Sequence, residues 1–189
     1  AITRVAEKCG LTDDKGRNFK SPMSTAPLTK HVKKSTDFDY LSIVGSLLHI
    51  CGVSRPDCAF SVPCLARHSK TAGDEHVEAL LRLVRYLYQT RYKAITYRGD
   101  VSKMHVPTVF ENGVHPLDVN KENPTKLFVG SDFAGTGGRS TAGFVVFMNG
   151  GPVIWSSKHM KVAATSSSEA EIIAAAESVK TAVHFRALL

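Results

Sequence analysis

Two acids, Asp132 and Glu169, occupy the places in this sequence from which a chain can bring carboxylates together. Asp132 follows Leu127-Phe128-Val129-Gly130-Ser131, an apolar run that reads as a strand ending in a carboxylate. Glu169 follows Ser166-Ser167-Ser168, a hydroxyl-rich cap. Such a cap opens a helix with acids in its first turn, where free backbone amides and the helix dipole favour negative charge. Between the two acids, Thr141 to Asn149 and Pro152 to Ser157 are β-rich runs separated by Asn149-Gly150-Gly151, a strong hairpin signal. The order is strand, hairpin, helix, and it carries the one acid pair set up for chemistry.

These residues closely resemble the ribonuclease H domain at the end of copia-type retrotransposon polyproteins. The matches are Arg139-Ser140-Thr141-Ala142-Gly143, the hairpin Gly150-Gly151-Pro152-Val153-Ile154-Trp155-Ser156-Ser157, and the helix start Ser167-Ser168-Glu169-Ala170-Glu171. The resemblance implies two-metal hydrolysis of a phosphodiester. Clustered carboxylates hold two Mg²⁺ ions about 4 Å apart, one generating hydroxide and the other stabilising the leaving oxygen. Glu169 matches the family's helix glutamate, whereas Glu171 points to a different helix face and reads as structural. The first-strand ligand is where the sequence departs. Aligning Phe133-Ala134-Gly135 with the family's aromatic-Ala-Gly places Gly130 at the usual first Asp and Asp132 two residues along. That is the same strand face, about 6 to 7 Å away. The family's next acid lies on a strand roughly twenty residues beyond Glu169, and this sequence ends at Leu189. The expectation is a catalytically inactive fragment, with Asp132 and Glu169 as the catalytic and metal-ligand candidates and Mg²⁺ not held tightly.

The composition fits a globular chain: 189 residues allow one ordinary domain or two small ones, and 43% hydrophobic content is normal. The formal charge of +7, from 24 Lys and Arg against 17 Asp and Glu, favours a polyanionic partner. Four cysteines (Cys9, Cys51, Cys58, Cys64) show neither Cys-x-x-Cys pairing nor zinc-ligand spacing with His, so they read as reduced, mostly buried thiols of an intracellular protein. No apolar run approaches the roughly 20 residues that span a bilayer, and the N-terminus shows no signal-peptide pattern. Gly135 to Ser140 lacks the Gly-Lys-Ser/Thr of a phosphate cradle and reads as a turn between strands.

The N-terminal half reads as helices. Ala1 to Cys9 suits a short helix stopped at Gly10. Asp13-Asp14 reads as a solvated turn, and Ser21 to Pro27, with two prolines, as extended linker. Tyr40, Ile43, Val44, Leu47, Leu48 and Cys51 recur at helical spacing, with Asp37 or Thr36 as cap. A second helix is expected from Pro56, capped by Ser54, with Ala59, Phe60, Val62 and Leu65 inward. A third is expected from about Asp74 to Gln89, with Val77, Leu80, Leu81, Val84, Leu87 and Tyr88 buried and Arg82, Arg85 and Arg91 beyond the stripe. Single His residues at 49, 68 and 76 read as structural or exposed.

The resemblance extends to this half through Tyr40, Val44-Gly45-Ser46-Leu47, Arg55-Pro56-Asp57, and His76, Ala79, Arg82, Arg85-Tyr86-Leu87 and Thr90. In copia-type polymerases these residues lie in the thumb and connection, the part that grips template and primer. The expected architecture is therefore α/β. A helical thumb/connection segment over 1–97 and a linker over 98–125 precede the N-terminal half of a ribonuclease H-like mixed sheet with a long helix over 126–189. The implied partners are an RNA/DNA hybrid or other nucleic acid, bound weakly and salt-dependently through Arg82, Arg85 and Arg139, and the remainder of the polyprotein. A non-enzymatic nucleic-acid-binding or interaction module derived from a transposon is the alternative. From Glu169, the residues Ile172, Ile173, Ala176, Val179, Val183 and Leu188 mark a long amphipathic helix running to the last residue, and Ala174-Ala175-Ala176 would let it sit close to the sheet.

Overall fold

The computed structural model describes residues 1–12, 18–24, 28, 37–97, 127–134 (backbone) and 140–188. The Asp13-Asp14 turn, the 98–125 linker and the 135–139 part of the glycine-rich turn lie outside the described residues. The chain divides into two units, Ala1–Ala94 and Ile95–Leu189. Among the described residues no helix is long and apolar enough to cross a membrane.

The first unit is helical: α1 (Ile2–Lys8), α2 (Tyr40–Ser54), a 3₁₀ turn (Pro56–Cys58), α3 (Ser61–Ala66) and α4 (Asp74–Gln89). Gly10, at φ +66°, takes the left-handed conformation that stops α1. The cap of α2 is Asp39 rather than Asp37 or Thr36. The helix expected from Pro56 is broken, because Pro56 to Cys58 winds as 3₁₀ before α3 begins; Ser54 belongs to α2. As a result Phe60 is turned outward, and Leu48 also leaves the buried face of α2. Tyr40, Ile43, Val44, Leu47 and Cys51 of α2 pack with Val62 and Leu65 of α3 and with Leu80, Leu83, Val84, Tyr86 and Leu87 of α4. The Tyr40 hydroxyl donates to the Leu65 carbonyl at 2.9 Å, fixing α2 against α3. His76 is fully buried at the start of α4, where its Nδ1 accepts from the Gly73 amide at 3.1 Å and its ring lies 4.2 Å from that of His68. His49 is exposed.

The second unit contains a three-stranded antiparallel sheet in the order β1 (Leu127–Ala134), β2 (Thr141–Met148), β3 (Gly151–His159), followed by α5 (Ser167–Arg186). Asn149 and Gly150 both have positive φ, 52° and 78°, as a two-residue hairpin turn matched to strand twist requires. A register shift falls between Val146 and Phe147. The helix lies against β1 and β2. Of the run expected close to the sheet, Ala174 is buried there, but the apolar stripe read from the sequence is not the docked face. Ala170, Ala174 and Ser178 are buried, Ile173 is partly so, and Ile172, Val179, Val183 and Leu188 are exposed. Small residues every four positions let the helix axis approach the strands, so the narrow face docks and the bulky aliphatic face turns outward. Ala170 and Ala174 pack with Met160, Ala142 and Ala164.

Candidate functional site

The helix-start acid is held by its own turn. Ser166 caps α5 by accepting the Glu169 amide at 3.1 Å. The Glu169 carboxylate reaches back to accept from the Thr165 amide at 2.6 Å and the Thr165 hydroxyl at 2.7 Å. The Thr165 hydroxyl, then its amide, hold Glu169 below the usual carboxylate range. The cap satisfies the Glu169 amide, one of those that a helix N-terminus otherwise leaves without a partner, and the carboxylate ties the helix start to the residue before the cap.

The strand positions are set by register. Gly130 stands across from Val145, and Asp132 across from Gly143. These β2 residues alternate with Ala142, which packs against the α5 cluster, and with Val146, which is fully buried. Gly130 and Asp132 therefore occupy register positions of the alternation that does not contain Ala142. Among the described residues, no group of three or more His, Cys, Asp or Glu is arranged to hold a metal ion. The described donor set does not fit a two-magnesium centre, since the carboxylate of Glu169 is engaged by Thr165 and glycine stands at 130.

Of the arginines read as nucleic-acid contacts, Arg82 is committed internally. Its guanidinium lies 4.5 Å from the Phe19 ring centroid and donates to the Ser21 hydroxyl at 3.2 Å. Arg85 and Arg82 both border an open cleft of about 510 Å³ whose walls include Leu11, Phe19, Met23 and Leu28. Arg139 lies outside the described residues.

Comparison with known proteins bears on the whole chain. Over 152 residues it is 35% identical to a putative transposon Ty5-1 protein of Saccharomyces cerevisiae, covering 79% of this chain and 42% of that one. It is 29% identical over its full length to the Retrovirus-related Pol polyprotein from transposon TNT 1-94 of Nicotiana tabacum, of which it spans 13%. A match of 31% identity over 148 residues joins 76% of the chain to 89% of Secreted RxLR effector protein 161 of Plasmopara viticola. The chain belongs to the copia-type retrotransposon Pol family. It spans less than half the length of the yeast and tobacco relatives. No family model matches, and no solved structure matches.

Within this copia-type chain, the motif residues of the helical half form a lock that their spacing did not announce. Arg55 is nearly fully buried and donates through Nε and Nη2 to the two oxygens of Asp57, at 2.9 and 2.7 Å. Its Nη2 and Nη1 also reach the Thr90 hydroxyl and carbonyl, at 2.7 and 3.2 Å. The Tyr86 hydroxyl donates to Asp57 at 2.8 Å. Arg55, Asp57, Tyr86 and Thr90 thus tie the 3₁₀ turn to the end of α4. Nothing in local sequence pairs them, because 35 residues separate Arg55 from Thr90. Cys58 beside them is fully buried, and burial pushes its thiol up to about 12. A second residue missed from sequence is Tyr97, whose hydroxyl donates to the Pro152 carbonyl at 2.9 Å.

Proposed function

We propose that this chain corresponds to the junction of a reverse transcriptase thumb and connection with the first half of a ribonuclease H-like domain. In this reading, complete polyproteins of the lineage perform RNA-directed DNA synthesis and hydrolyse RNA in RNA/DNA hybrids, and these 189 residues do not cleave. The single observation that carries the inactive reading is the combination of glycine at 130 with a Glu169 carboxylate engaged as a helix cap. Strand, hairpin and helix in the order β1-β2-β3-α5, with α5 against β1 and β2, support the assignment of the second unit. Bound Mg²⁺ would supply activated water and charge stabilisation. It binds well only to near-octahedral oxygen sets, which the described residues do not provide.

The test is incubation of the purified chain with a labelled RNA/DNA hybrid in Mg²⁺ or Mn²⁺. The expected result is no cleavage, also for Gly130→Asp alone. Cleavage appears only when Gly130→Asp is joined to a C-terminal extension from a complete family member. Cleavage by the unmodified chain, abolished by Glu169→Gln, would overturn the reading. A second reading, a non-enzymatic nucleic-acid-binding or interaction module, is supported by the effector relative, which this chain covers over 89% of its length. Salt-sensitive binding of the hybrid without cleavage is its signature.

A further inference from the structure

The outward face of α5 carries a pattern that its docking on the sheet leaves unused. Ile172, Val179 and Val183 are 69%, 55% and 58% exposed, and Ala176 is exposed beside them. Their spacing of four, three and four is that of a coiled-coil seam, over about three turns. The sheet is already served by Ala170, Ala174 and Ser178 on another face of the helix, so α5 is apolar toward its own fold and again away from it.

Two features select the occupant. The first is symmetry: four-three-four reads the same in both directions. A two-fold axis midway between Ala176 and Val179 therefore sets Ile172 against Val183 of the second helix and Ala176 against its Val179. Each position exchanges with its mate, as a two-fold interface demands, and the pairing is the one that antiparallel seams adopt. The second is charge. The first turn and the residues after it hold Glu169 and Glu171, and the last turn holds His184 and Arg186. The same axis brings Glu169, at the edge of the seam, level with Arg186 of the second helix, and leaves Glu171 and His184 outside the contact. It also brings each helix N-terminus beside a C-terminus, where the partial charges attract. A parallel pair would place like charges together.

We propose that two copies of this chain associate through α5, antiparallel about that axis. The contact is small, so the dimer is weak and rapidly exchanging, with a Kd on the order of 10–100 µM. Sedimentation equilibrium on the full chain, from well below to well above that range, should show a mass rising from monomer to a plateau at dimer. Val179→Glu alters a side chain that is exposed in the fold, so its circular dichroism and melting should match the unmodified chain. Its Kd should rise at least about tenfold, since a charge would enter the seam. Direction is read in a background with the partly exposed Cys9 and Cys64 changed to Ser. Ile172→Cys mixed with Val183→Cys should oxidise to the mixed disulfide in preference to either homodimer. The proposal is overturned by a monomer mass across the whole range, by a mass that climbs past dimer without a plateau, by an unchanged Kd in Val179→Glu, or by preferred homodimer disulfides. The monomer outcome would mean that the stripe is covered by something other than a second copy.

Discussion

At the scale of single residues, the most consequential group is one that does no chemistry. Arg55 is buried, and among the described residues Asp57 is the one carboxylate that it donates to, about one third exposed. Burial pushes the Asp57 carboxyl up, but hydrogen bonds from Arg55 and Tyr86 outweigh it and hold the group below its ordinary value. The unfolded chain therefore takes up a proton at higher pH than the folded one. The stability this gives is complete above the unfolded value of about 4, and it is lost as pH falls through the lower folded value. Asp57→Asn should cost about 2 to 3 kcal/mol near neutral pH, because one partner of a buried ion pair is gone. Thermal melts followed into acid should also show a smaller acid-induced loss for the variant than for the unmodified chain. Parallel loss in the two proteins would show that the lock contributes nothing to acid sensitivity. The Arg55-Pro56-Asp57 run was visible in the sequence as a motif. Its role was not, since Tyr86 and Thr90 reach it only through the fold.

At the scale of elements, helical periodicity located α2 and α4 well, and the Asn149-Gly150 turn fixed the hairpin, because each rests on local rules of side-chain spacing or backbone sign. The face of α5 was misjudged for a physical reason. A helix with small residues on one face and branched aliphatics on another offers two candidate faces, and only the approach distance of its partner decides between them. Gly151 shows the same limit. A Cβ there would meet the Tyr97 ring at 2.7 Å and the Thr96 carbonyl at 3.0 Å. Sequence marks Gly150-Gly151 as a turn, yet the backbone dihedrals favour glycine only at Gly150, while Gly151 is required by crowding from a segment 54 residues earlier. Gly151→Ala should therefore destabilise the second unit by about 1 to 3 kcal/mol. Part of that loss should be recovered in the Tyr97→Ala background, where the ring no longer blocks the methyl group. A denaturant-based double-mutant cycle measures the coupling, and strictly additive effects would rule out the contact as the cause.

At the scale of the whole molecule, charge is divided unevenly between the two units. Residues 1–94 hold 15 Lys and Arg against 9 Asp and Glu, a net +6, whereas 95–189 hold 9 against 8, a net +1. The net charge of +7, legible from composition alone, thus belongs almost wholly to the helical unit. Counterion release depends on cations that can approach phosphates, so affinity for a hybrid should reside in the first unit and not in the unit that carries Asp132 and Glu169. Within that unit Arg82 is already spent on Phe19 and Ser21, which leaves Arg85 and other basic residues as the cations to test. Photocrosslinking a labelled RNA/DNA hybrid to the intact chain, followed by peptide mapping, should place the crosslinks within 1–94. Arg85→Glu should weaken binding and flatten its dependence on salt, while Arg82→Ala should chiefly lower the melting temperature. Crosslinks concentrated in 127–188, or binding indifferent to salt between about 50 and 200 mM, would mean that the hybrid is held by something other than this charge asymmetry.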